Sequence, residues 1–216
     1  NVIVEFFKEL KKLFHMQNIS RNDRFNLYSI YVRYAMTILL GTRDFGKSVD
    51  ISRIKFSKDV IVFKEKGHFV NSGYRLIPLC NLAKNILQNY LKVLRQRNVP
   101  IKAIVVLNGK KYVEATLANI KQTCENFSFY ERKRTFFEMI EQFPLNEGRH
   151  LMVTMATQTG IDKDDIHAFM GHTINGGELL GINSFHDVKQ YKEKFLHLSD
   201  QIGKIYNIED IYDDRI

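Results

Sequence analysis

Apolar residues recur at helical spacing over most of this chain. After residue 23 they fall at Leu27, Tyr31, Tyr34, Ile38 and Leu39, a period of about 3.6 that predicts a helix ending at Gly41. Comparable patterns predict further helices over residues 2–16, 79–97, 112–124, 128–142, 147–158, 163–170 and 185–205. The chain is therefore expected to be mainly helical.

Three short segments break the helical pattern after the second helix. ISRIKF, VIVFKEK and YRLIPL are rich in β-branched residues and are separated by turn formers, including Asn71, Ser72 and Gly73. A further segment, AIVVL at 103–107, fits either a strand or an apolar linker. The predicted fold class is mostly α with a small three-stranded antiparallel sheet, an α+β arrangement.

Length and composition favour one globular unit. The chain has 216 residues and 44% hydrophobic content, enough for one substantial core. We expect a single domain over 1–216, in which 185–216 form a C-terminal helix and an acidic tail. Because the chain begins with Asn1 rather than Met, we also expect a further domain before it.

Several classes of protein are disfavoured by the sequence. No apolar run is long enough for a membrane span, so we expect no membrane partner. Cys80 and Cys124 cannot build a disulfide framework and lack metal-ligand spacing, which favours the cytoplasm. His167 and His172 are five residues apart and point about 140° away from each other on a helix, so no metal site is expected.

The charge of the chain favours a polyanionic partner. The formal net charge is +8, and lysine and arginine gain affinity for nucleic acids by releasing counterions from phosphates. The cations crowd two regions, one at Lys55, Lys58, Lys64, Lys66 and Arg75 and another at Arg132, Lys133 and Arg134, whereas the C-terminal NIEDIYDDRI is acidic. We therefore expect DNA contacts from basic regions and none from the tail.

One arginine stands where an apolar residue is expected. Arg149 lies three residues before Met152, on the same stripe of a predicted helix as Met155 and Ala156. A buried charge needs a partner. A DNA phosphate is the partner that we expect, although a carboxylate within the protein remains an alternative.

Three further motifs carry residues of similar chemistry. LLGTR places Arg43 directly after a helix, FKEKG places Lys64 and Lys66 on one face of a strand, and FMGH supplies His172. Together with NEGRH at 146–150, these motifs resemble, in order and spacing, the catalytic domain of the tyrosine recombinases, the phage-integrase-like family. The resemblance implies a tyrosine-recombinase catalytic-domain-like fold and a core-binding domain N-terminal to this chain.

The resemblance also implies an activity, namely breaking and rejoining double-stranded DNA through a 3′-phosphotyrosine. Arg43, Arg149 and His172 would stabilise the charge on the phosphate oxygens, and Asn146 would stand in the same site. Lys66, with Lys64 as the alternative, would protonate the leaving 5′ oxygen. No cofactor is implied.

The remaining implied roles concern the nucleophile and the DNA. Tyr191 is the tyrosine expected to attack the phosphate, and Lys64, Arg75 and His150 are expected to bind DNA. Self-association into a recombination complex on DNA is implied as well, within the cytoplasm or nucleoid of a prokaryotic cell.

Three features depart from the family pattern. The acidic residue expected shortly after Arg43 is missing, Asn146 stands in place of a histidine, and Tyr191 lies unusually far beyond His172. These departures leave alternatives open: a homologue that binds DNA without cutting it, a type IB topoisomerase, and a basic helical protein without such a site.

Overall fold

The computed structural model describes residues 2–42, 50–64, 74–128, 133–143, 147–171, 173–174, 177–178 and 187–216. In these ranges lie eight α-helices, namely α1 (Val2–Phe14), α2 (Arg21–Leu39), α3 (Asn81–Gln96), α4 (Leu117–Glu125), α5 (Lys133–Gln142), α6 (Glu147–Gln158), α7 (Lys163–Met170) and α8 (Val188–Ile205). The strands form antiparallel pairs, β1 (Val60–Lys64) with β2 (Tyr74–Pro78), β3 (Val105–Asn108) with β4 (Lys111–Glu114), and β5 (Thr173–Ile174) with β6 (Gly177–Glu178).

Helix α2 is the centre of the fold. Its N-cap, Ser20, accepts a hydrogen bond from the Asp23 amide at 3.0 Å, and every residue from Asp23 to Leu39 is buried. Helices α1, α3, α6 and α8 and strand β3 all pack against it. The predicted single apolar stripe therefore understates the burial of this helix.

The predicted three-stranded sheet is wrong within the described residues, because ISRIKF is not a strand. That segment and the two residues after it form two short 3-10 turns, Ile51–Arg53 and Phe56–Lys58. The Asp50 side chain caps the first turn by accepting from the Ser52 amide at 3.1 Å, which competes with an extended backbone. Strands β1 and β2 pair alone, with Val62 opposite Leu76.

A second hairpin replaces the start of the helix predicted over 112–124. Strands β3 and β4 are joined by Gly109 and Lys110, and α4 starts only after its N-cap Thr116. On the outer edge of β3, the Asn26 amide group bonds both main-chain groups of Leu107, at 2.6 and 3.0 Å. Of the two alternatives for AIVVL, a strand or an apolar linker, the structure has a strand, which starts at Val105, and the Asn26 side chain covers part of its open edge.

The acidic C-terminal segment, residues 207–216, packs back onto the helices. Lys11 of α1 pairs with Glu209 at 2.7 Å, and the Tyr31 hydroxyl both donates to the Glu209 carbonyl and accepts from its amide. Buried isoleucines anchor this segment, at Ile208, Ile211 and Ile216. Within the described part of the chain, no helix is both long and apolar enough to cross a bilayer.

Candidate active site

The structure describes only part of the predicted site. Arg43, Lys66, Asn146 and His172 lie outside the described residues. Lys64 and Arg75 belong to the described strands β1 and β2, but their side chains do not belong to the described part. The side chains of Arg149, His150 and Tyr191 are described, and so are the residue before Arg43, the residue after Asn146 and the residue before His172.

The segment leading to Arg43 is fixed by the end of α2. Gly41 has φ +54°, its amide donates to the Ile38 carbonyl at 3.3 Å, and the Thr42 amide donates to the Thr37 carbonyl at 3.1 Å. This pair of bonds is the Schellman termination of a helix, which requires a left-handed residue and therefore favours glycine. A Cβ on Gly41 would also lie 2.7 Å from Met152 Cβ of α6.

The segment following Asn146 meets the same end of α2. A Cβ placed on Gly148, in the first turn of α6, would lie 2.2 Å from the Thr37 carbonyl oxygen. That oxygen is also the acceptor for the Thr42 amide. The first turn of α6 and Thr42 therefore both approach the Thr37 carbonyl group. Only glycine at position 148 permits this contact.

Arg149 connects this junction to the end of α7. Its side chain is buried at 3% exposure, as the apolar stripe predicts, and its Nη2 donates to the Met170 carbonyl oxygen at 2.8 Å. Met170 is the last residue of α7, and the αL residue Gly171 ends that helix immediately before position 172. The carbonyl end of a helix carries partial negative charge, so this contact favours the guanidinium.

The segments next to Arg43, Asn146 and His172 therefore converge around Arg149. Thr42, Gly148 and Gly171 are the described residues of this junction. The Arg149 guanidinium is held by the Met170 carbonyl at this junction. His150, the next residue on α6, is exposed.

Thr42 holds a buried hydroxyl at the junction. The residue is 3% exposed, and among the described residues no group is placed to hydrogen-bond its Oγ1. Thr37, one turn earlier, differs because its hydroxyl donates to the Arg33 carbonyl at 2.9 Å. A buried hydroxyl without a partner costs about 1–3 kcal/mol, so the Thr42 side chain needs an explanation.

Tyr191 is buried against the β1–β2 hairpin. The residue has 0% exposure, and its hydroxyl donates to the Leu76 carbonyl oxygen of β2 at 2.7 Å. Its ring contacts Phe195 at 5.0 Å, and Phe195 stacks on Phe169 of α7 at 4.3 Å between ring centroids. Phe195, which the Tyr191 ring contacts, and Arg149 thus both contact the last turn of α7.

A carboxylate that the sequence did not single out fastens α8 to the hairpin. Asp59 precedes β1 in the αL conformation, with φ 50°, and its carboxylate binds Lys84 of α3 and, at 3.3 Å, Lys192 of α8. Hydrogen bonds from the two lysines hold the pKa of Asp59 below its usual range. The sequence contains many lysines, and Lys84 and Lys192 are far from Asp59 along the chain. No sequence pattern therefore indicates that these two lysines bind Asp59.

A second ion pair fastens α8 to α7. Asp165 is buried, and Lys194 contacts it at 2.6 Å. Together with the stacking of Phe169 on Phe195, this pair sets the position of α8 beside the junction. Among the residues that the structure describes, no group of three histidine, cysteine or carboxylate side chains could hold a metal ion.

Comparison with protein-family models, with curated proteins and with solved structures gave no match for this chain.

Proposed function

We propose that this chain is the catalytic domain of a site-specific DNA recombinase or integrase of the tyrosine type. The observation that supports this proposal is the junction around Arg149. Three segments that are distant in sequence, ending at Thr42, beginning at Gly148 and ending at Gly171, meet there. The resemblance places Arg43, Asn146 and His172 next to these segments.

The proposed chemistry is phosphoryl transfer without a cofactor. Attack on a phosphodiester develops negative charge on its non-bridging oxygens, and fixed guanidinium groups stabilise that charge. Arg149 suits this role because the Met170 carbonyl already holds its side chain, so little reorganisation is needed. Lys66 or Lys64 would donate the proton to the leaving 5′ oxygen.

Tyr191 would attack the phosphorus, so that a bond to its oxygen, the 3′-phosphotyrosine, forms as the bond to the 5′ oxygen breaks, and its proton would pass to water or to His172. In that role its hydroxyl exchanges the hydrogen bond to the Leu76 carbonyl for the phosphate, so α8 and β2 move relative to each other when DNA binds. The chain would act on double-stranded DNA and self-associate into a recombination complex.

The test is covalent capture of DNA. The protein is incubated with nicked plasmid DNA and with nicked duplexes of randomised sequence. Cleavage close to a nick releases a short strand that diffuses away, so the strand cannot be rejoined and the covalent intermediate accumulates. An adduct that survives detergent and disappears on proteolysis is the expected result. If wild-type protein binds these duplexes and forms no adduct at any sequence, the proposal of cleavage is wrong.

A second candidate function is DNA binding without cleavage. The observation that favours it is the full burial of Tyr191 and its hydrogen bond to Leu76, an arrangement that also suits a core residue. This candidate predicts salt-dependent binding to duplex DNA with no covalent product. The same capture experiment separates the two candidates, because binding and adduct formation are scored independently.

A further inference from the structure

We propose that Thr42 is a phosphate-binding residue whose hydroxyl donates a hydrogen bond to a non-bridging phosphate oxygen held beside Arg149. The inference rests on the proposed function for the identity of the phosphate as part of DNA, and it adds a group to which no role has yet been assigned. The sequence motif uses Thr42 only as the spacer between Gly41 and Arg43.

The first argument is burial. Thr42 is 3% exposed, and within the described ranges its Oγ1 has no hydrogen-bond partner. Buried hydroxyls in folded proteins are bonded in the great majority of cases, and the exceptions call for a ligand, a water or a functional role. Valine has the same shape without the polar atom, so packing among the described residues does not require a hydroxyl here.

The second argument is position. The Thr42 amide and Gly148 of α6 approach the same oxygen, that of Thr37, so Thr42 lies beside the first turn of α6. That turn carries Arg149, and main-chain N–H groups at the start of a 12-residue helix attract anions. A hydroxyl beside this turn, a guanidinium on it and the helix N-terminus itself are donors of the kind that bind a tetrahedral oxyanion.

Glu147 acts against this arrangement. It is the first residue of α6, and its carboxylate competes with an anion for the positive end of the helix. Neutralising it in Glu147→Gln is therefore expected to strengthen phosphate binding by a few fold. The opposite result would show that the anion lies elsewhere.

The structure provides matched variants. Thr42→Val removes the hydroxyl and keeps the shape, whereas Thr42→Ser keeps the hydroxyl. Thr123 of α4 is the control, because it is 2% exposed and its Oγ1 also has no partner among the described residues. Helix α4 packs on β3 and α5, away from the junction.

The experiment titrates isotope-labelled protein with inorganic phosphate and follows the Gly148 amide by NMR. Wild type, Thr42→Ser and Thr123→Val are expected to bind with equal affinity within about twofold. Thr42→Val is expected to bind about tenfold more weakly, the loss typical of one hydrogen bond to a charged group. Its melting temperature should equal or exceed that of wild type, because an unpartnered polar atom has been replaced by a methyl group.

Two results would overturn the inference: equal phosphate affinity of Thr42→Val and wild type, or a Gly148 amide that does not respond to phosphate at all. Failure of the proposed function looks different. In that case phosphate binding still depends on Thr42, but wild-type protein forms no covalent adduct with DNA.

Discussion

The hydroxyl of Tyr191 donates a hydrogen bond of 2.7 Å to the main-chain carbonyl of Leu76. This bond joins the first turn of α8 to strand β2, and the Lys192 contact with Asp59 joins the same turn to the start of β1. The proposed nucleophile is thus part of the contact between a helix and a hairpin. Removing its hydroxyl has consequences for stability as well as for chemistry.

Tyr191→Phe is expected to bind DNA and to form no covalent adduct. It should also lose about 1 kcal/mol in free energy of unfolding, because the Leu76 carbonyl loses a buried donor. Capture on nicked duplexes and urea denaturation measure the two effects. Tyr31→Phe is the control, since it removes a buried hydroxyl that bonds Glu209 and should lower stability without affecting capture. An undiminished adduct in Tyr191→Phe would move the search for the nucleophile to Tyr206.

Arg149→Ala is expected to reduce adduct formation by at least about 10²-fold, the usual effect of removing one donor for a developing oxyanion. Arg149→Lys keeps the charge but not the planar fork, and should be impaired as well. Both variants should remain folded, as judged by circular dichroism. Arg215→Ala, which removes an exposed arginine paired with Asp213, should retain activity. A structural ion-pair role for Arg149 would instead appear as unfolding of Arg149→Ala together with wild-type protein that never binds DNA.

Gly148→Ala is expected to destabilise the fold by about 3 kcal/mol or more, because the alanine Cβ would collide with the Thr37 main chain. The collision is with backbone atoms, so it can be relieved only by moving α2 and α6 apart. Gly203→Ala is the control. Its Cβ would meet the flexible side-chain ends of Leu82, at 3.0 Å, and Leu39, at 3.5 Å, and alanine favours a helix interior. Urea denaturation of both variants measures the difference. Equal stabilities would show that α2 and α6 are less closely joined than described.

Asp59 makes stability depend on pH in the acidic range. Its pKa is lowered by Lys84 and Lys192, so the folded state binds the proton less readily than the unfolded chain. The stabilisation is fully present above the unfolded value of about 3.9 and is lost as pH falls through the lower, folded value. Asp59→Asn should therefore lower the melting temperature by a constant amount above pH 5, and the difference should shrink below about pH 4.

The stabilisation that Asp59 provides is small because its side chain is partly exposed to solvent. The Asp59 side chain is 38% exposed, and ion pairs of this kind contribute up to about 1 kcal/mol. A double-mutant cycle with Lys192→Met isolates the contact to α8, and a coupling energy near zero would remove Asp59 from the description of the site.

DNA capture is expected to survive a strong chelator. In the proposed mechanism two arginines, a lysine and a histidine neutralise the charge that a metal ion neutralises in other nucleases. Adduct formation is measured with and without the chelator in a buffer without added metal. Loss of the adduct on chelation and recovery with magnesium would indicate a different reaction class.

Helices were predictable where a strong apolar period has clear ends. The segments predicted at 147–158 and 163–170 coincide with α6 and α7. In α7 the ends are marked by chemistry that is visible in the sequence: Asp162 accepts from the Asp164 amide at the start, and Gly171 adopts the αL conformation at the end. Such caps act through neighbouring residues only.

The predictions from sequence failed where the structure depends on contacts between residues that are far apart along the chain. Residues 112–114 of β4 are predicted to be helical, although a glycine at the first position of a two-residue loop, here Gly109 before Lys110, is a typical signal for a hairpin turn. At the site, the apolar stripe predicted the burial of Arg149, but no sequence pattern indicates its bond to Met170. The link between Tyr191 and Leu76 spans 115 positions and depends on how α8 packs, which spacing alone does not specify.

Helix α2 has no face in contact with solvent from Asp23 to Leu39. A helix of this kind cannot be a stable folding unit alone, because its apolar surface is covered only when α1, α3, β3, α6 and α8 are all in place. Detaching any of these elements exposes part of α2, so partial unfolding is costly and the described part of the chain should melt in one cooperative transition. Hydrogen exchange of the α2 amides should then require global unfolding, and an anion bound at the end of this helix would slow exchange along its whole length of about 28 Å.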